Sequence, residues 1–194
     1  RSDVHNAMHG EGEMKRQVVV IGLGRFGSSV VRSLYNLGHD VLAMDVNEDR
    51  VQSMMGQVTF PVTGDAANET VLRELGITDY DAAVVAVGTD LVASVMTTVL
   101  LKTMGVPYIL ARAHDELHGN VLERIGADKV VHAESEMGVR VAHNMFNPNV
   151  QEYLELASNF GFSRLRVPRA IMGKTIEEAG FSSPRDKYGL AVVA

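Results

Sequence analysis

The sequence predicts an α/β fold built on a parallel sheet, and three observations lead to that prediction. Short apolar runs alternate with helical patterns from residue 17 to about residue 132. The runs are rich in Val, Ala and Ile without polar alternation, which is typical of parallel strands buried on both faces. Gly38, Gly76, Gly105 and Gly126 fall where helices should stop, as glycine caps do. Short connections between these elements then require right-handed crossovers and a doubly wound sheet.

The predicted elements of this sheet follow one another in strict alternation. The strands are Val18–Ile21, Val41–Asp45, Val58–Val62, Ala82–Val87, Tyr108–Ala111 and Lys129–His132. The helices between them are Phe26–Leu37, Glu48–Met55, Glu69–Leu75, Leu91–Met104 and Glu116–Ile125. About six strands in the order 3-2-1-4-5-6 give a Rossmann-like domain.

Composition divides the chain into four segments. The polar residues 1–13 are interpreted as a remnant added before a native start at Met14, or as a disordered arm. Residues 14–135 form the Rossmann domain, which is the candidate nucleotide-binding domain. Residues 136–162 are expected to be mainly helical, and residues 163–194 to form the start of a truncated small α+β C-terminal domain.

Beyond the sheet the pattern predicts two helical pieces, Glu136–Phe146 and Val150–Ser158, interrupted by Asn147-Pro148-Asn149. Either these pieces pack on the sheet edge or a partner subunit shares them. The remaining predicted elements are a strand Ser163–Val167, a short helix after Gly173-Lys174-Thr175 and a strand Gly189–Ala194. The last strand has no pairing partner, which predicts a truncated second domain.

The overall composition excludes several classes of function. A net charge of −6 without a basic block makes the chain a poor candidate for nucleic-acid binding. Zero cysteines exclude disulfides, thiolate metal sites and a cysteine nucleophile. No apolar run approaches the roughly 20 residues that a membrane-spanning helix needs.

A glycine-rich turn carries the strongest functional signal. Gly22-Leu-Gly24-Arg-Phe-Gly27 follows directly on Val18–Ile21, and Asp45 ends the next apolar run. In a strand–turn–helix unit, the first glycine permits the tight turn, the second lets a phosphate approach the backbone, and the third lets helix and strand pack closely. The helix start favours an anion, and an acid at the end of the second strand can bind a ribose. We therefore predict nucleotide binding; a glycine-rich turn without a ligand is the alternative.

The individual side chains leave alternatives open. Arg25 either points at a terminal phosphate or is a solvated arginine at the helix start. Asp45 either accepts hydrogen bonds from both ribose hydroxyls, which disfavours NADP, or is a plain strand-end aspartate. Gly64-Asp65-Ala66 meets an adenine edge or forms a helix-entry turn, while Gly88-Thr89-Asp90 and Arg112 either touch phosphate or cap and bridge. The candidate nucleotide-binding residues are Gly22, Gly24, Arg25, Phe26, Gly27, Asp45, Asn47, Asp65, Ala66, Gly88, Thr89 and Arg112.

Catalytic groups are hard to find, and the prediction is that the chain is not an enzyme. Tyr35, Tyr108 and Tyr153 have no lysine four residues later, so the Tyr-xxx-Lys pair of short-chain dehydrogenases is missing. His114 and His118 lie one helical turn apart but lack the glutamate after the first histidine that a zinc protease signature needs. We therefore interpret these histidines as part of a solvated helix face.

Several strings of residues together resemble RCK (KTN, TrkA-N) domains. They are Val20–Gly27, Gly64-Asp65-Ala66 and Ile125–Glu134. Within the family the closest likeness is to the gating-ring subunit of Ktr-type potassium uptake systems, and it spans about Lys15–Phe162. Leu165–Ala194 resembles the opening of the family's C-terminal domain.

The resemblance implies a cytoplasmic regulatory subunit, peripheral to the inner face of the membrane, that performs no chemistry. Such subunits bind ATP, ADP or NAD(H) and gate a potassium-translocating membrane subunit by changing conformation. They dimerise through a crossover helix, which Glu136–Ser158 matches, and full-length chains assemble into octameric rings. ATP or ADP is the expected ligand. The alternatives are an NAD(H)-sensing RCK domain of a potassium efflux system and, with less support, a small NAD-dependent oxidoreductase.

The resemblance also implies roles for two residues. The arginine of the glycine loop, here Arg25, would contact terminal phosphates near the dimer interface. The acid after the sixth strand, here Glu134, would take part in a cation site beside ATP. The family often has Pro-Glu at this point, whereas this chain has Ala133-Glu134, which retains the carboxylate.

Overall fold

The chain divides into two compact units, residues 1–134 and residues 135–194. The computed structural model describes residues 14–145, 150–157, 160–165, 167 and 169–180. The predicted arm at residues 1–13 and the predicted strand Gly189–Ala194 lie outside the described residues. Among the residues that are described, no helix is both long enough and apolar enough to cross a membrane.

A parallel sheet of six strands forms the centre of the first unit. Its strands are β1 (Gln17–Ile21), β2 (Asp40–Asp45), β3 (Phe60–Thr63), β4 (Ala82–Val85), β5 (Ile109–Arg112) and β6 (Lys129–Val131). They lie in the order β3-β2-β1-β4-β5-β6, and every neighbouring pair is parallel. The predicted Rossmann-like order is confirmed. The strand order reverses between β1 and β4, and ligands of open sheets bind at such a point.

Five α-helices of the first unit connect these strands. They are α1 (Arg25–Asn36), α2 (Glu48–Gln52), α3 (Glu69–Glu74), α4 (Leu91–Thr103) and α5 (Glu116–Arg124). The side chains of Asn47, Asn68, Asp90 and Asp115 accept backbone N–H groups at the starts of α2 to α5. The glycines predicted to end helices all have positive φ: Gly38, Gly76, Gly105 and Gly126. The predicted helix ends are thus confirmed to within a few residues.

The sheet is buried on both faces, as the apolar runs predicted. Val19 and Ile21 of β1 belong to one core cluster, whereas Val18 and Val20 belong to the cluster on the opposite face. Val19 and Val20 are both fully buried. Alternate side chains of a strand point to opposite faces, so a doubly covered strand requires apolar residues at every position.

Two strand boundaries differ from the prediction more than the others: the fourth strand ends at Val85 and not at Val87, and the third strand differs at its start. The third strand begins at Phe60 and not at Val58. Thr59 explains the difference, because its Oγ1 accepts the Val41 N–H at 3.0 Å, where a strand would supply a backbone carbonyl. A side-chain acceptor has therefore replaced one bond of the ladder between β2 and β3.

Asp128 links β5 to the start of β6. The first of these strands ends at Arg112, and the second precedes Glu134. The Asp128 Oδ2 accepts the Ile109 N–H at 2.8 Å and its Oδ1 lies 3.2 Å from Lys102 Nζ. The hydrogen bond from Ile109 is the main reason why the pKa of Asp128 lies below its ordinary value, with Lys102 adding to it. The carboxylate form is therefore stabilised in the folded chain.

We expect Asp128→Asn to lower the free energy of unfolding by about 1 kcal/mol near neutral pH. Because the folded pKa is depressed, the stabilisation by the carboxylate is present above the unfolded value of about 3.9 and is lost as the pH falls through the lower folded value. Urea titrations at about pH 6 and below about pH 3 measure this. The difference between wild type and variant should shrink in acid, and a difference that is constant with pH would contradict the assignment.

The second unit begins within the next helix, α6 (Ala133–Met145), and contains an antiparallel pair of strands, β7 (Val150–Ala157) and β8 (Phe160–Leu165). The first predicted helical piece is confirmed by α6. The second, Val150–Ser158, is wrong, because Val150–Ala157 is a strand. Pairing with β8, from Val150 opposite Leu165 to Ala157 opposite Phe160, overrides the weak local helical pattern.

The short helix predicted after Gly173-Lys174-Thr175 is also absent from the described residues. A 3₁₀ turn precedes that point at Arg169–Ile171, and hydrogen-bonded turns follow it. Thr175 and Glu178 form the reciprocal bonds that start a helix: the Thr175 N–H donates to the Glu178 carboxylate and the Glu178 N–H to Thr175 Oγ1. Gly180 then takes a φ of +86°, so the segment stops before a helix is established.

Candidate functional site

A cleft of about 820 Å³ lies at the carboxyl ends of the parallel strands in the first unit. Most of the predicted binding residues line it: Gly22, Gly24, Arg25, Phe26, Asp45, Asp65, Ala66, Gly88, Thr89, Arg112 and Glu134. Gly27 and Asn47 do not line it. Its volume falls within the range of about 300–1,000 Å³ typical of small-molecule and cofactor sites.

The three glycines of the turn have different physical roles. Gly22 has a φ of +93°, and a Cβ there would lie 2.9 Å from the Ala86 carbonyl carbon. A Cβ on Gly27 would overlap the Gly22 carbonyl oxygen, so α1 can pack against β1 only with glycine at this position. Gly24 instead faces open space, with no atom within 4 Å of an added Cβ. Two glycines thus serve the packing of the turn, while the third leaves its backbone open to a ligand.

Asp45 lies at the end of β2 and is 5% exposed. Its Oδ2 accepts the Leu23 N–H at 2.6 Å, and its Oδ1 accepts the Asn47 N–H at 2.9 Å. The carboxylate therefore ties the glycine turn to the start of α2. A carboxylate has about four lone-pair positions, and Arg50 Nη1 also donates to Oδ2 at 3.4 Å, so one position remains for a ribose hydroxyl and a second becomes available where Arg50 is displaced.

Asn47 has a structural role that the sequence analysis did not separate from binding. Its Oδ1 accepts the Arg50 N–H at 3.1 Å and so caps α2. Arg50, in turn, places Nη1 at 3.4 Å from the Asp45 Oδ2 and lines the cleft. The sequence analysis missed Arg50. The available signal was an arginine in the first turn of the helix that follows the acid at the end of β2.

Arg112 and Glu134 form an ion pair at the other side of the cleft. The Arg112 guanidinium carbon also lies 6.0 Å from the centroid of the Phe26 ring, and the guanidinium lies directly against Gly88. The Arg112 Nε is buried without a hydrogen-bond partner among the described residues. Phe26 and Gly88 therefore belong to the site because they hold Arg112 beside the glycine turn.

Glu134 is exposed, and its charged form is stabilised. The hydrogen bond from its own backbone N–H, followed by the interactions with Arg112 and Arg25, lowers the pKa of its carboxyl group. Within the described part of the chain no cluster of three or more histidine or acidic side chains suits a metal ion. A lone carboxylate paired with arginine does not fit a cation by itself, so any cation at Glu134 would need ligands from a bound phosphate.

The remaining predicted residues lie elsewhere around the cleft. Asp65 Oδ1 accepts the Ala67 N–H at 2.9 Å, which stabilises the turn before α3. Ala66 is buried, whereas Thr89 is exposed in the loop between β4 and α4. Arg25 is exposed in the first turn of α1. The structure therefore brings these residues to one cleft, and their contacts with a ligand stay predictions.

The interpretation of the histidine pair as a solvated helix face is wrong for His118, whereas His114 is exposed and precedes α5. His118 is 5% exposed, and its Nδ1 accepts the His114 N–H at 3.1 Å. Burial lowers the pKa of His118, with His114 and His132 acting in the same direction and Asp115 against it. An imidazole that accepts a hydrogen bond at Nδ1 is neutral. His118 therefore has a structural role, because it is buried and its hydrogen bond with His114 stabilises the loop before α5.

The sequence also matches a known domain family and known proteins. The model of the TrkA-N domain matches residues 18–133. Ktr system potassium uptake protein C of Bacillus subtilis (strain 168) is 39% identical over 181 residues, which is 93% of this chain and 80% of that protein. Ktr system potassium uptake protein A of the same organism is 38% identical over 179 residues, 92% of this chain and 79% of that protein.

Solved structures share the fold. The Shewanella denitrificans Kef CTD in its AMP bound form is 25% identical with a TM-score of 0.55, over 66% of this chain and 80% of that chain. The GsuK channel bound to NAD, at 17% identity and a TM-score of 0.62 over 88% of this chain and 31% of that chain, shows the fold alone. With a family model that matches most of the chain and relatives that match over most of their own length, this chain belongs to the TrkA-N domain family.

Proposed function

We propose that this chain is a nucleotide-sensing regulatory subunit of a potassium uptake system and that it catalyses no reaction. The observation that carries the proposal is the cleft itself. In it, the open backbone at Gly24, the buried carboxylate of Asp45 and the cations Arg25 and Arg112 all line one space. Relatives named as potassium uptake proteins support the assignment to potassium transport.

A bound nucleotide would use each side of the cleft differently. Asp45 accepts hydrogen bonds from the ribose hydroxyls, and the backbone N–H groups at the start of α1 bind phosphate. Asp65 and Ala66 would contact an adenine edge, and Thr89 would lie beside the phosphates. ATP and ADP are the proposed ligands, because two arginines are available for the phosphates beyond the first.

The proposed regulation depends on differential binding. A terminal phosphate would compete with Glu134 for Arg112 and would draw Arg25 toward the cleft. Because Arg112 ends β5 and Glu134 is the last residue of the first unit, weakening their ion pair would release Glu134 from the edge of the sheet. ATP and ADP shift a conformational equilibrium only to the extent that they differ in affinity for its states.

The proposed partners are a second copy of the chain and a membrane subunit that carries potassium. Dimerisation through α6, a ring of full-length chains and a position at the cytoplasmic face of the membrane follow from the likeness to Ktr-type subunits. A cation beside a bound nucleotide, with Glu134 as one ligand, belongs to the same proposal.

A second candidate is an NAD(H)-sensing domain of a potassium efflux system. The observation that favours it is the solved GsuK channel bound to NAD, which shares this fold. A dinucleotide would use the same turn and the same Asp45. An oxidoreductase has less support, because the residues around the cleft include no Tyr-xxx-Lys pair.

Calorimetric titration of the chain with ATP, ADP, AMP and NADH tests the proposal. We expect ATP and ADP to bind more tightly than AMP, since their additional phosphates reach the arginines. A clear preference for NADH would favour the second candidate. Hydride transfer to or from a simple hydroxy acid would contradict a regulatory role without catalysis.

For Arg25→Ala, we expect the affinity for ATP to fall by about tenfold or more, which is about 1.4 kcal/mol, with the affinity for AMP within about twofold of wild type. The arginine would act on terminal phosphates that AMP lacks. Arg73→Ala is the matched control, since Arg73 is an exposed arginine of α3 that pairs with Glu69 outside the cleft. Equal losses for ATP and AMP would mean that Arg25 is structural.

A further inference from the structure

A second depression, which we call the arginine groove, adjoins the cleft beside the glycine turn. Its volume is about 490 Å³, and it is lined by Leu23, Gly24, Arg25, Ser28, Arg32 and Arg50. Gly24, Arg25 and Arg50 also line the cleft, so the two spaces meet at these residues. None of the described residues that line the groove is acidic.

The described residues balance the charges of the three arginines only in part. Arg32 donates from Nε to a neutral acceptor, Gln57 Oε1, at 2.8 Å. Arg50 lies 3.4 Å from Asp45, whose carboxylate also accepts two backbone N–H groups. Arg25 lies within electrostatic range of Glu134 but forms no ion pair with it. Three guanidinium groups that share one groove repel each other, and an anion placed between them would relieve that repulsion.

The position of the groove indicates where on a ligand that anion would lie. Asp45 lies at the end of β2, where an acid binds the ribose in dinucleotide-binding folds, and an arginine near such an acid can accommodate a phosphate on the ribose 2′ oxygen. Arg50 is that arginine, because it contacts Asp45 and extends from the cleft into the groove. Planar guanidinium groups bind phosphate oxygens in pairs.

We infer that the arginine groove is a second anion subsite, which binds a phosphate group beside the ribose of a nucleotide held in the cleft. The inference rests on the proposed nucleotide binding and goes beyond it. It also reverses the expectation that Asp45 disfavours a 2′-phosphate, because Arg50 offsets the charge of Asp45 and Arg32 adds a further cation. The phosphate is either carried on the ribose or bound as a free ion.

Two titrations distinguish these sources. The first compares 5′-AMP with adenosine 2′,5′-bisphosphate by calorimetry at constant ionic strength, so that only the ribose phosphate differs. We expect the bisphosphate to bind about tenfold more tightly. The second adds inorganic phosphate to the chain saturated with 5′-AMP. A phosphate-dependent heat in this arm, with equal affinity for the two nucleotides, assigns the groove to a free phosphate ion.

Arg32→Gln tests whether the groove is responsible. Arg32 is exposed on α1 and does not line the cleft, so the variant should retain the fold and bind 5′-AMP within about twofold of wild type. Its affinity for the bisphosphate, or for inorganic phosphate in the second arm, should fall by about tenfold. Arg73→Gln on α3 removes the same charge outside both spaces and should change neither affinity.

The inference is overturned if wild type and Arg32→Gln are indistinguishable in both titrations, which is also the result expected if the arginines instead receive an acidic segment of a protein partner. A chain that binds no 5′-AMP would contradict the proposed function. In that case, inorganic phosphate titrated into the chain alone, with Arg32→Gln as the comparison, still decides whether the groove binds phosphate.

Discussion

Gly27→Ala is expected to lower the free energy of unfolding by about 3 kcal/mol or more. The new Cβ would overlap the carbonyl oxygen of Gly22, a backbone atom that cannot rotate away. Alanine is intrinsically better than glycine in a helix by about 1 kcal/mol, so a loss of stability can come only from the overlap. Denaturant titration followed by circular dichroism measures the change.

Gly24→Ala is the matched control, since it makes the same substitution three residues earlier in the same turn. Gly24 has a φ of −68°, which alanine adopts freely, and the added Cβ meets no protein atom within 4 Å. We expect the free energy of unfolding to stay within about 0.5 kcal/mol of wild type while the affinity for ATP falls about tenfold. Unchanged ATP binding would show that no phosphate approaches the backbone at Gly24.

Asp45→Asn should lower the affinity for 5′-AMP by about 30-fold, or about 2 kcal/mol. The carboxylate accepts two backbone N–H groups in a buried position, whereas an amide has one oxygen and places its NH₂ group against the second donor. That conflict is expected to cost about 2 kcal/mol of stability and to displace the turn and the ribose contacts. Unfolding and calorimetric titrations of the same preparation separate the two effects.

Glu74→Gln provides the control for Asp45→Asn, because it removes one negative charge from an exposed residue of α3. Glu74→Gln should leave both the affinity for 5′-AMP and the free energy of unfolding unchanged. The ratio of affinities for adenosine 2′,5′-bisphosphate and 5′-AMP should rise in Asp45→Asn, since the variant removes a negative charge beside Arg50. A 5′-AMP affinity equal to wild type would contradict the assignment of Asp45 to the ribose.

Much of the first unit follows from local patterns. The apolar runs mark strands because a strand covered on both faces must be apolar at every position, as Val18 to Ile21 are. Glycines with positive φ end the helices because they alone adopt that conformation without strain. The second unit was harder to predict. Val150–Ala157 forms a strand because it pairs with β8, and its local sequence pattern did not indicate that pairing.

The candidate site was predictable to the extent that chain order specifies it. In a parallel sheet, the residues after each strand converge on one edge, so Asp45, Asp65, Gly88 and Arg112 could be assigned to one cleft in advance. Side-chain partners that come from separate segments of the chain could not be predicted from the sequence. The ion pair of Arg112 with Glu134 joins residues that follow different strands.

The sequence by itself determined the strand order, the glycine turn and the acid at the end of β2, because each depends on periodicity or on a residue type at a fixed spacing. Tertiary structure alone decided which glycine packs and which leaves space for a ligand, since that depends on what surrounds each missing Cβ. It also decided that Arg25, Arg32 and Arg50 line one groove. Arg50 comes from a different helix, and only the packing of α1 and α2 beside the glycine turn brings these charges together.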